Sequence, residues 1–241
     1  MREKPLVIAN WKATKTTQET IDWIRRAKTD LEEIDWVDTV VCPPFSSLSA
    51  AFSYFKDTNI KVGAQDVSKF RKGAYTGEVT VEMLKNLANY CIVGHSERRK
   101  YFNESDDDVI QKVKLLLESK ITPVLCVSDL RQLDSYLQRG KEVVEAAERI
   151  VFVYEPPGAI SDGSTYRPEN PETADENAGK IGEKIGKKIT TLYGGSVNTE
   201  NAYLFFSQES IDGGLVGQAS TDAQVFLELL KSIRSNTARG A

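Results

Sequence analysis

The sequence predicts an α/β protein, a single (βα)8 barrel spanning residues 1–241, and three observations carry that reading. Eight short runs rich in β-branched and other apolar residues alternate with longer amphipathic stretches along the whole chain. Most of the runs are apolar without alternation, as expected for strands covered on both faces, and the helical stretches between them imply parallel connections. No Pro/Ser/Gly-rich linker divides the 241 residues, a length that suits one closed barrel. The competing fold, a doubly wound open sheet, would usually carry a G-x-G-x-x-G turn after its first strand, and none follows here.

The elements can be justified in order. Leu6-Val7-Ile8-Ala9 forms the first strand and opens into Asn10-Trp11-Lys12. Residues 17–34 repeat apolar positions at helical spacing, with Thr16 or Thr17 available as a cap. Thr39-Val40-Val41-Cys42, residues 60–64 and Tyr90-Cys91-Ile92-Val93 supply the next three strands. Ser105 and the three aspartates after it give residues 106–118 a negatively charged helix start, which complements the helix dipole. Strands five and six lie at residues 122–126 and 150–154. Gly179, Gly182 and Gly186 then punctuate a helical pattern of poor propensity, each glycine costing about 1 kcal/mol relative to alanine. That predicts a weak helix packed closely on the barrel. Strands seven and eight fall at residues 188–193 and 213–216, and a helix over 223–233 precedes a tail, 235–241, that has no apolar anchor and is expected to fray.

Composition narrows the class. The formal net charge of −4 comes from interspersed signs with no basic stripe, which argues against nucleic acid as a partner. Hydrophobic content of 40% and charged content of 27% suit an ordinary globular core. The three cysteines each lie in or at the end of an apolar run, without metal-ligand spacing, and read as buried, reduced thiols of a cytoplasmic protein. The N-terminus leads into only four apolar residues, too few for a signal-peptide core, and no run reaches membrane-spanning length.

In a (βα)8 barrel the C-terminal strand ends open on one face, so polar residues that follow different strands converge there. Asn10 and Lys12 follow the first strand, His95 the fourth and Glu155 the sixth. A single histidine is, taken alone, more often structural than catalytic. Four coincident strand-end positions favour chemistry instead: an acid or base, an imidazole and a fixed cation suit proton abstraction beside a carbonyl, where charge develops on oxygen. Two further turns, Tyr193-Gly194-Gly195-Ser196-Val197 and Leu215-Val216-Gly217-Gln218-Ala219-Ser220, follow the last two strands, where barrels often bind phosphate through backbone N–H groups.

With Gly63-Ala64-Gln65-Asp66, Gly73-Ala74-Tyr75-Thr76-Gly77-Glu78, Gly94-His95-Ser96-Glu97-Arg98-Arg99 and Tyr154-Glu155-Pro156, these motifs stand in an order that resembles the triosephosphate isomerases, whose fold is the TIM barrel. The resemblance spans nearly the whole chain. It implies interconversion of dihydroxyacetone phosphate and glyceraldehyde 3-phosphate, a step of glycolysis and gluconeogenesis, without metal or organic cofactor. By the same resemblance Glu155 is the base and neutral His95 polarises the substrate oxygens. Lys12 supplies positive charge, Asn10 positions the substrate, and Glu97 supports the site near Lys12. Phosphate would be held around Ser161, Gly195, Ser196, Gly217 and Gln218. The loop at residues 73–78 implies a homodimer, with Arg98 and Glu78 as cross-subunit partners.

Departures gather in the segment matching the family's lid, residues 156–163: Gly158 stands where tryptophan is usual, Ser161 where glycine is, and Asp162 where threonine is. Gln218 replaces a frequent glycine, and Val127-Ser128-Asp129 departs from the usual Gly-Glu ending. The segments on either side of Glu155 also look short, which predicts trimmed or irregular helices. Two other readings stay open at this stage. Another phosphate-binding barrel enzyme is one; a Schiff-base aldolase would need a lysine on a late strand, and only Lys188, at a strand beginning, is offered. The other is a barrel that has lost activity and serves as a binding protein.

Overall fold

Eight parallel strands close on themselves in chain order, each hydrogen-bonded to its sequence neighbours, with the last returning to the first. A computed structural model describes residues 3–159 and 167–237 of the protein. The strands are β1 (Leu6–Asn10), β2 (Asp38–Cys42), β3 (Lys61–Ala64), β4 (Tyr90–Val93), β5 (Thr122–Val127), β6 (Val151–Tyr154), β7 (Thr190–Tyr193) and β8 (Gly213–Val216). The helices are α1 (Thr17–Glu33), α2 (Leu48–Phe55), α3 (Val81–Leu84), α4 (Ser96–Phe102), α5 (Asp106–Glu118), α6 (Leu130–Arg139), α7 (Lys141–Glu145), α8 (Pro171–Ile185), α9 (Ala202–Phe206) and α10 (Ala223–Thr237). This is the (βα)8 barrel that the alternation of apolar runs predicts.

Strand periodicity divides the core into two layers. Leu6 and Ile8 of β1 pack with Val40, Ile92, Val124, Val153 and Leu215 inside the barrel. Val7 and Ala9, the alternate residues, pack outward against the helices, together with Trp23, Ile24, Ala27 and Leu31 of α1. The buried positions of α1 recur at helical spacing, and Thr16 starts the helix with a capping box: its side chain accepts the Glu19 N–H while Glu19 accepts the Thr16 N–H. Ser105 and Asp108 do the same for α5. All three cysteines are buried and free.

The glycine-bearing segment is indeed a helix, α8, capped by Asn170 and begun by Pro171. Only Gly179 and Gly182 lie inside it. Gly186 instead terminates it in the left-handed region, at φ +69°. The region after β5 is irregular, as expected: α6 breaks at Gly140 into the short α7 and a 3-10 turn, Ala147–Arg149. The C-terminal helix extends to Thr237, four residues past the expected end at 233; residues 238–241 lie outside the described part. Among the described residues no helix is long and apolar enough to cross a membrane.

Closure depends on Gly213, which opens β8 at φ +138°, where a Cβ would meet the Leu6 backbone of β1. Gly213→Ala is expected to destabilise the chain by about 2–4 kcal/mol through backbone strain and overpacking. Chemical denaturation checks this, and an unchanged midpoint would show that the β8–β1 seam relaxes around the methyl group.

Candidate active site

Lys12 owes its position to an unusual backbone. Its φ of +49° is left-handed, a conformation that costs a non-glycine residue about 1–2 kcal/mol. Two side chains hold it there. Asn10 Oδ1 accepts the Lys12 N–H at 3.1 Å, and Gln65 Nε2 donates to the carbonyls of Lys12 and Cys42, each at 2.9 Å. The result sets Lys12 Nζ 2.5 Å from Glu97 Oε1. It also lies beside the turn after β8, because a Cβ built on Gly217 would stand 3.3 Å from Lys12 Cε.

His95 follows β4 and caps α4, its Nδ1 accepting the Glu97 N–H at 3.2 Å. An accepting Nδ1 places the proton of a neutral ring on Nε2, and Nε2 lies 3.0 Å from Glu155 Oε1. Glu155 follows β6 and is wholly buried. Its carboxylate accepts the Ser96 N–H at 3.0 Å and the Ser96 hydroxyl at 3.3 Å, and its own N–H donates to the Val127 carbonyl at 2.9 Å.

The ionisation of the pair follows from these contacts. Burial pushes the Glu155 carboxyl up, but the adjacent His95 and the two Ser96 donors outweigh it and hold it below the usual carboxylate range. Burial likewise disfavours a charged His95, and the Glu155 carboxylate outweighs it, lifting the imidazole above its usual value. Withdrawing Glu155 therefore removes the largest influence that charges the ring. A fully buried carboxylate also cannot reach a ligand without leaving Ser96.

The two glycine turns meet this group. A Cβ built on Gly194 would stand 3.0 Å from Glu155 Cγ, so the turn that carries Gly195 and Ser196 backs the carboxylate. Ser196 donates both its N–H and its hydroxyl to the Ala159 carbonyl, each at 2.8 Å, joining that turn to the segment after Glu155. Gln218 begins a 3-10 turn, Gln218–Ser220, directly after Gly217. Gly158 faces open space, with nothing within 4 Å of a Cβ built there. Ser161 and Asp162 lie outside the described residues.

The structure thus brings Asn10, Lys12, His95, Glu97 and Glu155 to one face with Gly195, Ser196, Gly217 and Gln218. Sequence reasoning assigned no role to Gln65 or Ser96, although both stand inside motifs already singled out. Ser96 could have been noticed as a hydroxyl at the first turn of a helix directly after the histidine. Arg98 and Glu78 each have partners within the chain: Arg98 pairs with Asp66 at 2.9 Å and Glu104 at 3.0 Å, and Glu78 accepts from Ser68. Lys188 is exposed and precedes β7, at the opposite end of the barrel. Among the described residues no group of three or more His, Cys, Asp or Glu side chains is placed to hold a metal ion.

A model of the triosephosphate isomerase family matches residues 5–233. The chain belongs to that family. It is 38% identical over 245 residues to the triosephosphate isomerase of Solibacter usitatus, covering 94% of this chain and 98% of that protein. It is 40% identical over 246 residues to the enzyme of that name from Fusobacterium nucleatum, covering 94% and 98%. With the Thermus thermophilus triosephosphate isomerase it shares 40% identity over 246 residues, covering 94% and 97%. The triosephosphate isomerase likeness read from the motifs therefore holds along nearly the entire chain.

Because its carboxyl is depressed, Glu155 contributes stability that is present above its ordinary value of 4.5 and is lost as pH falls through the lower folded value. Ser96→Ala removes one donor and is expected to move the Glu155 titration upward, and the acid-unfolding midpoint with it. Carboxyl NMR read alongside acid denaturation checks this; an unmoved titration would mean that His95 and the Ser96 N–H alone set it.

Proposed function

We propose that the protein, working as one barrel domain over residues 1–241, interconverts dihydroxyacetone phosphate and D-glyceraldehyde 3-phosphate through an enediolate. In this reading the Glu155 carboxylate takes a proton from the carbon beside the carbonyl and returns it to the neighbouring carbon. Neutral His95, through Nε2–H, and Lys12 Nζ stabilise the oxygen that becomes negative. The contact of His95 Nε2 with Glu155 Oε1, with Nδ1 tied to the Glu97 N–H, is the observation that supports it most. It sets a base and a proton donor side by side and fixes which nitrogen carries the proton.

Substrate binding must draw Glu155 away from Ser96, and with it goes the influence that favours a charged imidazole. Asn10 acts by holding Lys12 in place, and Glu97 by holding the ammonium until substrate arrives. The phosphate takes backbone N–H groups of Gly195, Ser196, Gly217 and Gln218, once Ser196 releases the Ala159 carbonyl; Ser161 is assigned to the same group by family likeness. A small anionic substrate, with no nucleic acid or membrane partner, fits a chain of net charge −4 whose basic groups are local.

The exposed rings of Phe70, Tyr75, Tyr101 and Phe102 lie on or near the loops after β3 and β4, and Phe70 stacks on Tyr75 at 4.2 Å. This apolar surface supports a homodimer formed through the loop at residues 73–78, an isologous two-fold contact. Three buried free thiols suit the reducing cytoplasm.

Glu155→Gln is expected to abolish most isomerase activity in a coupled assay run in both directions, with an unchanged circular dichroism spectrum. Lys12→Met and His95→Gln should each lower turnover about tenfold or more, the scale of losing a preorganised electrostatic partner, and Asn10→Ala should be milder. Near-normal turnover of Glu155→Gln would remove Glu155 as the base. Sedimentation is expected to give a dimer, and a fully active monomer at submicromolar concentration would contradict the proposed interface.

A further inference from the structure

A second polar assembly lies behind His95, on the side away from the substrate face. Arg99 of α4 turns back toward the end of β4: its Nε donates to the Gly94 carbonyl at 3.2 Å and its Nη1 to Asp106 Oδ1 at 2.7 Å. Its Nη2 donates to the hydroxyl of Tyr136, which comes from α6 and is wholly buried. That hydroxyl in turn reaches the Cys126 carbonyl of β5 at 3.4 Å. The contact with the catalytic turn is also steric. Gly94 stands at φ +71°, and a Cβ built on it would lie 3.0 Å from the Tyr136 hydroxyl and 3.1 Å from Val109 Cγ1. The phenol therefore occupies the space directly beneath the residue that precedes His95.

We infer that Tyr136 is a positioning residue for the isomerisation: its hydroxyl, bridging Arg99 and the Cys126 carbonyl, fixes the Gly94-His95 turn relative to the strand beside which Glu155 is anchored. The strand geometry supplies the second half of this. Cys126 immediately precedes Val127, whose carbonyl accepts the Glu155 N–H at 2.9 Å. One hydroxyl thus links the backbone that carries the imidazole to the backbone that holds the carboxylate. Burial drives the phenol well above its usual titration range, so it stays protonated and can accept from Arg99 while donating to the carbonyl.

The rest of the assembly keeps the bridge rigid. Asp106 accepts from Arg99, from Ser135 at 2.6 Å and from Arg139 at 3.0 Å, so α4, α5 and α6 are joined at one carboxylate. Tyr136 is wholly buried and acts only through the turn it supports. A site whose groups must be held to a fraction of an ångström loses rate when such support is removed.

The inference rests on His95 as the electrophile, and the experiment separates the two. Tyr136→Phe keeps the ring and removes the bridge. Its kcat is expected to fall about tenfold, equivalent to about 1.4 kcal/mol of transition-state stabilisation, with KM changed less than about twofold, since uniform binding is untouched. His95 is the only histidine, so its imidazole 15N resonances are unambiguous, and they should shift in Tyr136→Phe. Gln138→Ala, an exposed position two residues away on the same helix, should leave both unchanged. A Tyr136→Phe enzyme with wild-type kcat and unmoved His95 resonances overturns the inference, while an inactive His95→Gln leaves the role of His95 standing. An active His95→Gln would instead remove the reading on which the inference depends. Should Tyr136→Phe not fold, Arg99→Lys, which cannot serve Gly94 and Tyr136 together, must show the same kcat loss and resonance shift. Loss of folding in both would mean that the hydroxyl serves the barrel and not the imidazole, and the inference would fall.

Discussion

The pairing of β8 with β1 brings the Lys12 and Gly217 ends of the candidate site together. Leu6 and Val7 face Gly213 and Gly214 across that seam, and the register continues to Ala9 and Val216 at its upper end. Two residues beyond β1 stands Lys12, and one residue beyond β8 stands Gly217. The ammonium that would meet a developing oxyanion thus lies beside a turn suited to phosphate without any long-range side-chain contact between them. The same parallel geometry sets the end of β4 in line with β5 and β5 with β6. His95 and Glu155, sixty residues apart in sequence, meet because the strands that carry them are two positions apart in a closed sheet.

Within that frame the demanding element is a charge with no access to water. A buried carboxylate without partners would take up a proton. Glu155 is held below the usual carboxylate range because His95 and two Ser96 donors surround it, and the proposed reaction requires that these partners be surrendered. In the proposed reaction, storage and use of the base are alternatives, exchanged through Ser96. Arg99 and Tyr136 lie beneath the turn at Gly94, on the side opposite the exchange that the proposed reaction requires.

Legibility in the sequence followed the range of the physics involved. Tyr90–Val93 is readable as a strand because burial on both faces leaves no room for polar side chains, and α1 is readable because Trp23, Ile24, Ala27 and Leu31 share one face after a local capping box. Asn10, Lys12, His95 and Glu155 were visible as strand-end residues once the barrel was expected. Glu97 beside Lys12 was visible through the family resemblance, but other partners were not. Ser96 beneath Glu155, Gln65 beneath Lys12 and Tyr136 beneath Gly94 are contacts made between elements, and no spacing along the chain encodes them. Gly186 shows the limit at short range: within a repeated glycine pattern nothing local separated the helix interior from its left-handed end.

The most direct test of this account is a crystal structure of the protein with a phosphorylated analogue of the enediolate. The Glu155 carboxylate should have left Ser96 to lie against the analogue's two central carbons. His95 Nε2 should donate to an analogue oxygen while Nδ1 still accepts from Glu97, and the phosphate should sit at the Gly195 and Gly217 turns. An analogue bound with Glu155 still held by Ser96, or one seated away from His95 and Lys12, would contradict it.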